Sequence, residues 1–216
     1  MTLNKFKKLK IGILGCGYWA TNIIKSLEEE GLYDISVFDI DKKKLRIIKD
    51  KFRNLKIYKS LNSFFANNYN CIFLVAPPSK HYNLAKKVLK KNIDLFVEKP
   101  LTLSSKHLKE LIKLSYQKKL ILMSGYIYQH NIYVDYIKTL LKKGTLGRIK
   151  YVYFERSNLG PIRNDTSCIW DLASHDISTC ISIFKNKPRI TYVKTFNFLK
   201  KNLHDISSVG LEFGNI

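Results

Sequence analysis

The sequence predicts an α/β protein: a doubly wound parallel sheet followed by a smaller, incomplete α+β part. Three observations lead there. Short, uniformly apolar runs alternate with longer amphipathic ones through the first 125 residues. A glycine-rich loop separates the first apolar run from the first helical pattern. After Gly125 the alternation gives way to runs of strands with helices to one side. Strands that are apolar on both faces belong to a parallel sheet covered by helices on both sides and joined by right-handed crossovers.

Taken in order, residues 9–14 read as a strand and 18–30 as a helix. Residues 34–40 form a second strand, and 42–52 a helix with Leu45, Ile48 and Phe52 on one face. A short strand follows at 56–58. The apolar run 71–76 is broken by Pro77-Pro78, and a helix covers 82–91. Residues 93–97 are another buried strand, stopped at Pro100. Ser104 caps a helix running to 119, and 120–123 is a further strand. Beyond Gly125, a helix over 132–143 ends at Gly144. Residues 148–156 alternate in strand fashion through Tyr151 and Tyr153, 171–184 is helical, and 190–198 and 209–213 are strands. The expected domains are therefore residues 1–125 and 126–216.

Composition narrows the function. An apolar fraction of 45% over 216 residues supports a real core. The 38 Lys+Arg against 17 Asp+Glu give a net charge of +21, which invites a nucleic-acid reading. Only six of the basic residues are arginine, whereas base-edge readout favours the guanidinium fork. The lysine runs at 42–44, 86–87, 90–91, 118–119 and 142–143 fall on the polar sides of helical patterns, as solvated faces do. No nucleic-acid partner is expected. Cys16, Cys71, Cys168 and Cys180 show neither a CxxC pair nor a His–Cys metal spacing, so reduced thiols, no metal and a cytoplasmic protein are expected. No uncharged apolar stretch approaches the roughly 20 residues of a membrane span. The basic start followed by Ile11–Leu14 and Cys16 imitates a signal peptide, but that apolar stretch is shorter than the roughly 7 residues one needs.

Four constellations carry chemistry. The first is Gly15-Cys16-Gly17-Tyr18-Trp19-Ala20, directly between a strand and a helix. A dinucleotide site needs a first glycine for the tight turn and a second for backbone approach to pyrophosphate. The third position must be small so that helix and strand pack closely, and Ala20 meets that need. Asp39, 24 residues after Gly15, closes the second strand where ribose hydroxyls lie and disfavours a 2′-phosphate, hence NAD rather than NADP. Asp41 fits the cap of the next helix better. This is the signature of a Rossmann domain. The second constellation, Ala76-Pro77-Pro78-Ser79-Lys80-His81, lies at the carboxyl end of a buried strand, where ligands of open α/β sheets collect. Ala76, Pro77 and His81 join the cofactor-facing set, although the His81 side chain reads as a structural hydrogen bonder. The third, Glu98-Lys99-Pro100, closes another buried strand; a lysine beside a nicotinamide suits proton transfer. The fourth is Asp171 and His175, four apart on one helix face, a carboxylate–imidazole pair fit for acid–base work.

Together these residues make the chain similar to the Gfo/Idh/MocA oxidoreductases, the family of glucose–fructose oxidoreductase and inositol dehydrogenase. Glu98-Lys99-Pro100 in its strand context is the most specific element. The resemblance implies a cofactor, NAD, held by Gly15, Cys16, Gly17, Tyr18, Trp19, Asn22 and Asp39, with Glu98 and Lys99 beside it. It implies that Lys99, Asp171 and His175 line the reactive carbon of a sugar or polyol. The Tyr18-Trp19 start with Asn22, and the run from Arg156 through Asn158 and Arg163 into Trp170, resemble the branch of nucleotide-sugar 3-dehydrogenases acting on UDP-N-acetylglucosamine-type sugars and their uronates. Arg156, Asn158 and Arg163 are accordingly expected to bind substrate. Family members are usually much longer, close a glyceraldehyde-phosphate-dehydrogenase-like second domain with a broad sheet, and form homo-oligomers through it. A C-terminally truncated second domain is therefore expected, with assembly in doubt. A redox-neutral NAD-dependent glycosidase and a non-catalytic NAD-binding protein are the alternatives.

Overall fold

The computed structural model describes residues 9–157, 165–199 and 201–214. The chain divides into two compact units, Met1–Gly125 and Tyr126–Ile216. In the first, six strands form one parallel sheet: β1 (Ile11–Leu14), β2 (Ile35–Phe38), β3 (Lys56–Ile57), β4 (Cys71–Leu74), β5 (Asp94–Val97) and β6 (Leu122–Ser124). Their order is β3-β2-β1-β4-β5-β6. The order reverses at β1, and Ile11 pairs with Ile35 on one side and Cys71 on the other. Ligands bind at such a switch point, outside the carboxyl ends of the strands.

The strands are covered by helices on both faces, so they read as near-continuous apolar runs. On β1, Ile11 and Ile13 pack into one core with Ala20, Ile24 and Val37, and Leu14 faces the other with Ile72, Leu74, Leu95 and Val97. Helices α1 (Tyr18–Glu29), α2 (Lys42–Lys51), α4 (Pro78–Lys90) and α5 (Ser105–Lys118) cover the faces. A short helix, α3 (Leu61–Phe65), capped by Ser60, has no counterpart in the sequence reading, because five residues are too few for periodicity to show. It delivers Phe64, fully buried, onto Gly12; a Cβ at Gly12 would lie 2.7 Å from the Phe64 ring. Helix α4 begins at Pro78, not at 82, since proline is well suited to a first helical turn.

The second unit contains a 3₁₀ turn (Ile127–His130), α6 (Ile132–Lys142), α7 (Ser174–Phe184) and an antiparallel pair, β7 (Arg189–Phe196) with β8 (Ile206–Glu212). Phe213, Val134 and Cys180 are buried, with Phe213 against Phe184 at 4.9 Å between ring centroids. Residues 148–156 do not form the expected strand among the described residues, and Tyr151 and Tyr153 are exposed. Alternation supplies two faces, but a strand also needs a neighbour for its backbone groups, and none pairs here.

Candidate active site

The glycine loop is built by a close approach of three segments. Gly15 adopts φ +101°, and a Cβ there would stand 2.6 Å from the Ala76 nitrogen, so only glycine fits. Its N–H donates to Phe38 O at 2.9 Å. Gly17 is the N-cap of α1 and no side chain caps that helix. A Cβ at Gly17 would meet only Val75 O, at 4.0 Å, so protein packing does not demand glycine there. Free space over an uncapped helix N-terminus is what a pyrophosphate requires. Ala20 is fully buried against the sheet, as close helix–strand packing needs.

Asp39 is half-buried, and its carboxylate accepts the Cys16 N–H at 2.6 Å and the Asp41 N–H at 2.8 Å. Asp41 caps α2, accepting from Lys43 at 2.8 Å and Lys44 at 3.4 Å. Burial, aided by the Asp39 charge, pushes the Cys16 thiol up to about 12. Tyr18 is exposed and meets the Trp19 ring edge-on at 5.9 Å; Asn22 is half-buried on the same helix.

At the neighbouring strand ends, Ala76 is half-buried and Pro77 exposed. His81 turns its ring inward, wholly buried, onto the carbonyls of Ala76 and Pro100. Glu98 is half-buried; its carboxylate accepts the Lys99 N–H at 3.1 Å and lies beneath Gly125, where a Cβ would meet both oxygens at 3.0 Å. Burial holds the Glu98 carboxyl above the usual carboxylate range. Lys99 is half-buried at the carboxyl edge of β5.

In the second unit, the segment expected as one α-helix over 171–184 is a π-helical turn, Ile169–Ala173, running into α7. Such widened turns recur at functional sites because they re-aim side chains. Asp171 within it is half-buried, and His175 on the first turn of α7 is buried. The His175 ring meets Tyr128 edge-on at 5.3 Å and Tyr126 at 6.1 Å. Arg156 is engaged by Asp176 through Nε, 2.9 Å, and Nη2, 2.7 Å, and lies 5.2 Å from the Tyr128 ring. That bidentate pairing raises its already high basicity and matches its charge within the unit. Asn158 and Arg163 lie outside the described residues. The sequence gives no role to Tyr126, Tyr128 or Asp176, although Asp176 directly follows His175; their link to His175 and Arg156 leaves no local pattern. No three His, Cys, Asp or Glu side chains among the described residues are grouped as a metal site would need, and no described helix is long and apolar enough to cross a membrane.

The model of an oxidoreductase family with an NAD-binding Rossmann fold matches residues 9–126. An uncharacterized oxidoreductase of Schizosaccharomyces pombe is 27% identical over 153 residues, 65% of this chain and 41% of that protein. UDP-N-acetylglucosamine 3-dehydrogenase of Acidithiobacillus ferrooxidans is 24% identical over 153 residues, 70% of this chain and 47% of that protein. The chain thus spans less than half the length of these curated relatives. Among solved structures, the WlbA dehydrogenase of Bordetella pertussis in complex with NADH and UDP-GlcNAcA is similar, with TM-score 0.81 at 18% identity over 96% of this chain and 69% of that one.

Proposed function

The chain belongs to the Gfo/Idh/MocA oxidoreductase family, and from that premise we propose that it transfers a hydride between a secondary hydroxyl of a nucleotide-linked sugar and NAD. The observation that carries this reading is the loop at the sheet's switch point: Gly15 locked against Ala76, Gly17 open above an uncapped helix, and Asp39 fixed beside Cys16.

NAD, when bound, supplies the hydride-accepting ring. The backbone amides at Gly17–Trp19 would hold its pyrophosphate through the helix dipole and their N–H groups. Asp39 keeps lone pairs beyond the two amides it accepts, and these would receive ribose hydroxyls. The Ala76 turn and Glu98 would hold the nicotinamide end, and Lys99 would polarise the hydroxyl oxygen of the substrate. The group that removes the hydroxyl proton would be Lys99 of the first unit or His175 of the second, the latter oriented by Asp171 four residues before it. Arg156, which is paired to Asp176, together with Asn158 and Arg163, is proposed to bind the substrate.

The experiment follows NADH absorbance with a panel of UDP- and dTDP-sugars and free polyols. NADH formation with a nucleotide sugar is expected. A response to free polyols alone overturns the nucleotide-linked substrate. Sugar cleavage without NADH accumulation identifies a redox-neutral glycosidase, and NADH binding with no reaction at all identifies a non-catalytic cofactor binder. Lys99→Met is expected to abolish turnover while leaving NADH affinity within about twofold.

A further inference from the structure

The imidazole of His81 is 0% exposed and is flanked by two main-chain carbonyls. Nδ1 stands 2.8 Å from Pro100 O, and Nε2 stands 2.6 Å from Ala76 O. Both oxygens are acceptors only. A neutral imidazole has one N–H and one lone pair, so it satisfies one carbonyl and opposes its lone pair to the other. The imidazolium alone donates to both.

We propose that His81 is held as an imidazolium that ties the turn after β4 to the turn after β5, and that it is a positioning residue for the cofactor half of the site. The two carbonyls belong to residues adjoining the proposed nicotinamide edge: Ala76 in one turn, and Pro100, directly after Lys99, in the other. Ala76 is also the residue against which Gly15 closes. One ring therefore fixes the spacing of the glycine loop's neighbour and the lysine turn. Removing a buried cation from water is costly, and two short charge-assisted hydrogen bonds are the arrangement that offsets that cost. The titratable groups on the surrounding elements include Lys80, Tyr82 and Lys86 on α4, Glu98 and Lys99 at the end of β5, His107 and Glu110 on α5, and Cys71 at the far end of β4, with further lysines along α4 and α5 and Asp94 at the start of β5. Tyr82 donates to Glu110, stacks on His107 at 3.8 Å and receives Lys86 at 2.9 Å, so that outer group is neutralised within itself.

The inference rests on the reading that these turns hold NAD, and its test separates the two. In the full-length ¹⁵N-labelled chain at neutral pH, proton–nitrogen correlation of the histidine rings reports which ring nitrogens are protonated. His81 is assigned by substituting His107, His130, His175 and His204 one at a time. Two protonated nitrogens with slowly exchanging protons are expected at His81; a neutral ring with one N–H overturns the proposal. In NADH titrations, His81→Leu is expected to lower affinity about tenfold, with His81→Gln between it and the parent, because an amide can restore one of the two donors. Unchanged affinity in a folded His81→Leu chain overturns the positioning role. If neither variant folds, ring protonation in the parent chain decides. Failure of the parent to bind NADH, with His81 doubly protonated, overturns the cofactor reading and leaves the clamp standing.

Discussion

The carboxylate of Asp39 accepts the backbone N–H of Cys16 at 2.6 Å, so the acidic end of β2 braces the middle of the glycine loop. Asp39 thereby does two jobs: it shapes the loop and presents its remaining lone pairs at the carboxyl edge of the sheet. Asp39→Ser removes both, together with the negative charge that repels a 2′-phosphate. NADH affinity is expected to fall at least about tenfold while NADPH affinity falls less or rises. Fluorescence titration with both cofactors checks this; equal losses would reduce Asp39 to a loop brace.

Gly15→Ala places a Cβ 2.6 Å from a main-chain nitrogen in a backbone conformation with φ +101°. The obstacle is backbone, which cannot swing aside. A loss of about 2 kcal/mol or more in unfolding free energy is expected, with NADH binding abolished. Gly17→Ala, by contrast, meets open space within the protein and is expected to keep its stability but lose NADH affinity. Denaturant unfolding and NADH titration of the two variants test the contrast.

The Cys16 thiol sets a pH dependence. Its ordinary value of 9.0 is pushed up to about 12 by burial and by Asp39. The unfolded chain therefore loses this proton first, and in that interval the folded state binds more protons. The contribution is fully present below about pH 9 and is lost as pH rises towards 12. Unfolding free energies of the parent and Cys16→Ala, measured from about pH 8 to about pH 10.5, are expected to converge or cross as pH rises. Parallel curves would show that Cys16 titrates normally.

The Arg156–Asp176 pair holds two segments of the second unit together, with both side chains more than two-thirds buried. Removing one partner leaves a partly buried charge unmatched. Asp176→Asn is expected to destabilise the chain by about 2 kcal/mol, and a double-mutant cycle with Arg156→Met measures the coupling. A coupling near zero would show that solvent replaces the pair at no cost.

Much of the first unit is legible in the sequence. Strands β1, β4 and β5 stand within the apolar runs because a sheet buried on both faces tolerates little else. The loop Gly15–Ala20 and Asp39 are legible because each position answers a steric or electrostatic need of its own. The second unit is less so. The π-helical turn at Ile169–Ala173 leaves no mark in a helical pattern, and the alternation of Tyr151 and Tyr153 carries no information about which segment, if any, lies alongside them.

The net charge of +21 and the lysine runs told little about the site, whereas the order of strand, glycine loop, helix and acidic strand end determined the fold of the first unit. What only the tertiary structure decided is where the side chains are held. His81 turns inward onto two carbonyls, 5 and 19 residues away, and Arg156 meets Asp176, 20 residues on. Periodicity reports which face of an element is buried. The partner on that face is set by packing between segments distant in sequence, and only the folded chain brings those together.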